Sequence, residues 1–124
     1  MGAVKPSVQA VHFEDVEAIP LPSGSWSRMV LSAANIGGIR SSLGYSIFRP
    51  GTVTDPVSHE VEELAFVVDG NGELRLEGDT LPFRAGHALH IPARVWHAVA
   101  NTGKEDMVMV FTFPSPGYPP TDRR

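Results

Sequence analysis

The sequence predicts an all-β domain, a sandwich or a barrel, and three observations carry that expectation. Turn formers punctuate the chain at short intervals. The segments between them run four to nine residues and are rich in Val, Ile, Leu and Phe. No stretch shows the sustained apolar spacing of a long amphipathic helix.

Taken in order, the turn signals are Pro20 and Pro22, "IGG" at 36–38, "RPG" at 49–51, "DGNG" at 69–72, "EGD" at 77–79, "AG" at 85–86, "NTGKED" at 101–106 and "PSPG" at 114–117. The strands predicted between them are "SRMVL", "GYSIFR", "EELAFVV", "GELRLEG", "ALHIP", "WHAVAN" and "MVMVFTF", with short additional ones at "QAVHFED" and "TLPF". The tail "FPSPGYPPTDRR" reads as an ordered strap that turns into a frayed end. Neither an internal repeat nor a linker interrupts this rhythm, so 1–124 reads as a single domain, with an arm over 1–25, a barrel over 40–113 and a Pro-rich tail over 114–124.

Composition removes several classes of function. A chain of 124 residues buries about two-thirds of its unfolded surface without covalent staples. Cysteine is absent, which excludes thiolate chemistry, cysteine-ligated zinc and disulfide frameworks, and fits a reducing, cytoplasmic setting. The opening "MGAVKPSVQAVHFEDVEAIPLP" has no apolar core of signal-peptide length, and no apolar run approaches the roughly 20 residues a membrane helix needs. With a formal net charge of -4 and basic residues scattered except at Arg123 and Arg124, the chain offers no basic stripe for a phosphate backbone. Neither a nucleic acid nor a membrane is expected as a partner.

The stretch "TDPVSHEVEEL" sets one histidine among acidic residues. Read as one strand, it places Val57, His59, Val61, Glu63, Ala65 and Val67 on one face and Ser58, Glu60 and Glu62 on the other. His59 and Glu63 then point the same way on an otherwise apolar face, where a lone carboxylate needs a proton, a cation or hydrogen bonds. Alternatively the strand starts only at Glu63 and His59 sits in a wet loop. Leu64, Phe66 and Val68 form an apolar stripe on the opposite face, to be covered by a second sheet or another subunit.

Spacing around these residues continues downstream. Gly51 is followed after seven residues by His59, after three by Glu63 and after six by Gly70; Gly86 is followed after five by Pro92, after one by Arg94, after two by His97 and after three by Asn101. This resembles the two signature motifs of the cupin superfamily, G-xxxxx-H-x-H-xxx-E-xxxxxx-G and G-xxxxx-P-x-G-xx-H-xxx-N. The resemblance implies a small single-domain cupin with a double-stranded β-helix, or jelly-roll, barrel. Two positions depart from the pattern: Arg94 replaces a glycine, and Val57 stands in place of the first histidine.

Carried over position by position, the resemblance implies that His59, Glu63 and His97 ligate a divalent metal, with Fe(II) favoured and Mn, Ni or Zn as substitutes. Two imidazoles and one carboxylate match the facial triad of non-haem iron sites. The implied function is a metal-dependent enzyme acting on a small oxygen-rich substrate, most concretely a dioxygenase. Two alternatives remain: a Lewis-acid cyclase or isomerase, and a non-catalytic binding module whose pocket, with the apolar Val57, holds a small molecule unaided. Single-domain cupins are commonly homodimers, and the resemblance implies one here.

Candidates for the pocket are Val57, Tyr45, Phe48 and His90. Tyr45, Ile47 and Arg49 share one strand face and Ser46 and Phe48 the other, so either Tyr45 or Phe48 lines the barrel. His90 either looks outward from between Leu89 and Ile91 or enters the barrel. His12 and His87 read as surface residues, Trp96 as packing between subunits or beneath the tail, and Trp26 and Arg28 as structural. Met29, Met107 and Met109 read as gap fillers.

Overall fold

The computed structural model describes residues 7–124, so the first six residues of the predicted arm lie outside it. Among the described residues eleven strands run β1 (Ile19–Pro20), β2 (Trp26–Leu31), β3 (Ser42–Phe48), β4 (Val57–His59), β5 (Glu63–Asp69), β6 (Asn71–Leu76), β7 (Asp79–Arg84), β8 (Ala88–Ile91), β9 (His97–Ala100), β10 (Met107–Phe113) and β11 (Thr121–Arg123). They form a six-stranded sheet, β1-β2-β3-β10-β5-β8, facing a five-stranded one, β11-β4-β9-β6-β7. This is the two-sheet antiparallel barrel that the turn rhythm predicts. Among the described residues no helix is long and apolar enough to cross a membrane.

Period-two alternation builds the core. In β10, Met107, Met109, Phe111 and Phe113 are buried, and they meet Ala65 and Val67 of β5 and Leu89 and Ile91 of β8. The opposite face of β5 carries Leu64, Phe66 and Val68, each about half exposed on the outside of the six-stranded sheet. The parity expected for β5 therefore holds.

Loops of the two motifs do structural work. Gly70 has φ +83°, and a Cβ there would lie 2.8 Å from the Asp106 carbonyl and the Met107 Cα, so only glycine fits this turn. Arg94 adopts φ 66°, a left-handed conformation in which glycine is unstrained and arginine is not. Asn101 is buried, and its side chain donates to the Phe48 and Glu105 carbonyls and accepts from Gly103 N–H at 2.8–2.9 Å. Asn101→Ala strips all three groups of their partner and is expected to destabilise the fold by about 2–3 kcal/mol, read as a lower midpoint in chemical denaturation; a loss below about 1 kcal/mol would mean that water replaces the amide.

Three local expectations are corrected, and one open choice is decided. The stretch from Val57 to Val67 is not one strand: β4 lies in the five-stranded sheet and β5 in the six-stranded one, and the chain crosses between them over Glu60–Glu62. "QAVHFED" holds a 3-10 turn at Phe13–Asp15 instead of a strand, because the His12 ring accepts from Glu14 N–H and Asp15 accepts from His12 N–H. The tail does not fray at Thr121–Arg123, which pairs with β4, and the Arg124 guanidinium lies 4.1 Å from the centre of the Trp96 ring. Of the alternatives Tyr45 and Phe48, the structure turns Phe48 inward, and Tyr45 turns outward onto Phe13, with ring centres 4.7 Å apart, beside Trp26 and Arg28.

Candidate metal centre and cavity

A cavity of about 480 Å³ opens between the two sheets, walled chiefly by Phe48, Leu74, Leu89, Ile91, Met109 and Phe111. His59 from the end of β4, Glu63 from the start of β5 and His97 from the start of β9 reach the same wall. Glu63 Oε1 lies 3.2 Å from His59 Nε2 and 3.6 Å from His97 Nε2. All three side chains are almost wholly buried.

Hydrogen bonds on the far side of each imidazole decide what the near side offers. His97 Nδ1 lies 2.9 Å from the Val95 carbonyl, which only accepts, so Nδ1 carries the proton. His59 Nδ1 lies 2.8 Å from Thr121 Oγ1, whose own proton goes to the Pro119 carbonyl at 2.9 Å. Thr121 must therefore accept, and His59 Nδ1 donates. Both rings thus turn Nε2 toward Glu63, the tautomer and orientation that a metal-binding imidazole needs.

The donor atoms of His59, Glu63 and His97 all lie within 4.8 Å of one another. Ions that bind imidazole and carboxylate at about 2.0–2.2 Å fit such a group with modest side-chain adjustment. The residues present fit a divalent metal, and the donor set does not select among iron, manganese, nickel and zinc. Val57 lines the same cavity and faces His97 across the β4–β9 pair.

Electrostatics tie the three groups together. Burial alone would raise the Glu63 carboxyl, but hydrogen bonds from His59 and His97 and their charge outweigh it, and its pKa is lowered from 4.5. For His97, burial would lower the pKa, but the bonds to Glu63 and the Val95 carbonyl outweigh that, and it is raised from 6.5. By linkage, the Glu63 contribution to stability is present above its unfolded pKa and lost as pH falls through the lowered folded value. The His97 contribution is present below 6.5 and lost as pH rises through the raised folded value. In metal-free protein the stability difference between wild type and His97→Ala is expected to shrink as pH rises through that window; a difference constant with pH would show that His97 does not hold the extra proton.

Of the other pocket candidates, Phe48 lines the cavity and Tyr45 and His90 do not. Of the two alternatives for His90 the structure takes the outward one: Leu89 and Ile91 fill the core, and His90 Nε2 meets Glu62 at 2.9 Å with both side chains more than half exposed. The sequence reading missed Thr121, Ser27, Ser46 and Tyr118, all on the cavity wall. Strand parity puts Ser46 on the face of Phe48, which was the available signal for it; nothing local marks Thr121 or Tyr118.

Residues 44–113 match the family model described as the Cupin domain. The chain belongs to the cupin family. This cupin is 36% identical over 85 residues to polyketide synthase CurC of Streptomyces cyaneus, across 68% of this chain and 55% of that protein. It is 32% identical over 66 residues to 5-nitrosalicylic acid 1,2-dioxygenase of a Bradyrhizobium species, across 53% of this chain and 32% of the relative. The chain thus spans about half of the first relative and a third of the second. Its fold is shared with the polyketide cyclase RemF of Streptomyces resistomycificus, with a TM-score of 0.78 and 24% identity, across 94% of this chain and 85% of that one.

Proposed function

We propose that this cupin is a metal-dependent enzyme that acts on a small, largely apolar organic substrate through its carbonyl or enol oxygens, in the manner of a cyclase or isomerase. The observation that carries the reading is the pair of imidazoles whose outer nitrogens are committed to Thr121 and Val95, leaving both inner nitrogens beside Glu63 at the cavity wall. His59, Glu63 and His97 would hold the ion. A divalent ion held there supplies Lewis acidity toward an anionic oxygen, and iron adds redox chemistry.

The chain's own part is placement and exclusion of water. Apolar side chains on both sheets give the substrate body a dry surface, and the few polar groups on the wall fix its orientation. Val57 presents methyl groups where the family pattern has an imidazole, leaving room beside the triad for a substrate oxygen. The relative that shares the larger part of this chain, named as a polyketide synthase, supports carbonyl chemistry. A second reading, a dioxygenase, is favoured by the two-histidine, one-carboxylate donor set and by the nitrosalicylate relative.

The experiment loads purified protein with zinc or with iron(II) and supplies an aryl ketone such as tetralone. Exchange of its α-protons with deuterium, read by NMR, is expected to accelerate with either metal and without oxygen uptake. Oxygen consumption coupled to product with iron alone would replace the cyclase reading by the dioxygenase one. Binding without exchange or oxygen uptake would make the protein a carrier.

A further inference from the structure

Apart from the triad and the Thr121 that holds it, the cavity wall carries a row of three hydroxyl groups. Ser46 Oγ donates to Ser27 Oγ at 2.9 Å, and Ser27 Oγ lies 3.3 Å from the Tyr118 hydroxyl. Ser27 and Ser46 are only 4% and 3% exposed, yet all three side chains line the cavity. Because Ser27 receives the Ser46 proton, its own proton is free to go to Tyr118, which leaves the tyrosine O–H without a committed acceptor. The 3.3 Å separation is long for an O–H···O bond. Tyr118 is also 47% exposed although its ring packs on Phe111 and Phe113, so it borders open space.

Position relative to the triad is set by one ring. The Phe113 centroid lies 4.9 Å from that of His59 and 5.8 Å from that of Tyr118, so one ring packs against both the candidate metal ligand and the tyrosine of the hydroxyl row. Arg123 lines the same cavity. We propose that the Tyr118 hydroxyl, held by Ser27 and Ser46, is a second recognition point that donates to a carbonyl or enolate oxygen at the far end of the substrate, so that the site selects flat apolar molecules bearing oxygen functions on both sides of a ring. The side chain is partly exposed, but the apolar surroundings of its hydroxyl on the cavity wall desolvate the Tyr118 phenol and hold it above its ordinary pKa, against the Ser27 hydrogen bond, so it is a donor at neutral pH. The substrate class deepens the function proposed above and rests on it for the metal end alone.

Juglone and its peri-hydroxy tetralone counterpart test this. Both carry the same chelating hydroxy-ketone, and only juglone has the distal carbonyl. Zinc-loaded wild type is expected to bind juglone about tenfold more tightly than the tetralone, by calorimetric titration. In Tyr118→Phe that preference should fall to within about twofold, with tetralone and zinc affinities unchanged. A retained preference in Tyr118→Phe would overturn the proposal, as would an equal loss for both ligands, which would mean a structural role. The titrations are repeated on metal-free protein: failure to bind zinc at all would sink the metal reading, while the Tyr118 effect on juglone should persist there and its absence would sink the second recognition point.

Discussion

Glu63→Ala is expected to cost this cupin its divalent metal, with affinity for zinc falling by roughly a hundredfold or more, and to remove turnover with it. Glu63 supplies the only carboxylate of the triad and lies between two imidazoles at 3.2 and 3.6 Å. Nothing else in the group of three carries negative charge. The barrel should remain folded, since Glu63 sits at the cavity wall and is not one of the apolar side chains that make up the core cluster. Chelator competition reads the affinity, and thermal unfolding with and without zinc reads the linkage, because ligand that binds only the folded state raises its stability. His97→Ala should behave alike. Full metal occupancy in either variant would break the triad as assigned and leave metal-free ligand binding as the better account.

Val57→His should act in the opposite direction on affinity. Val57 faces His97 across the β4–β9 pair and lines the cavity beside the triad, so an imidazole there would stand where the cupin pattern has its first histidine. A fourth ligand should tighten zinc binding by about tenfold to a hundredfold, the lower figure if no neighbour orients the new ring. It should also slow turnover, because the added side chain occupies space that the wild type leaves for substrate. Dissociation constants and deuterium exchange on tetralone measured for both proteins separate the two effects. Unchanged metal affinity would show that position 57 points away from the ion; tighter binding with undiminished turnover would show that substrate enters from another side.

Much of the site was legible in the residues themselves. The resemblance of the spacings from Gly51 to Gly70 and from Gly86 to Asn101 to the two cupin motifs implies His59, Glu63 and His97, and the structure brings those three together. Alternation in β5 separated its two faces, and the stripe of Leu64, Phe66 and Val68, expected to be covered by a second sheet or another subunit, lies about half exposed on the outside of the six-stranded sheet. Turn formers marked most strand ends, because a glycine such as Gly70, whose Cβ would collide with the next strand, has no substitute.

Other features depend on what a segment packs against. His59 and Glu63 share no strand face; they meet because the chain crosses from one sheet to the other between them and the two sheets look at each other. In β3 the more polar face, Ser42, Gly44 and Ser46, turns inward, where the Phe111 ring from β10 fills the space above Gly44 and the cavity accepts Ser46, while Tyr45 finds cover outside from Phe13. Parity relates the residues of one strand to each other, and only a neighbouring element says which side is in. The tail is the extreme case: Thr121 reaches His59 across 62 positions of sequence, and Tyr118 reaches Ser27 across 91. Local pattern picked out the candidate ligands of this cupin and the Val95 carbonyl that orients His97 from two residues away; only long-range pairing decided how His59 is held, because Thr121 comes from a strand that the sequence places far away.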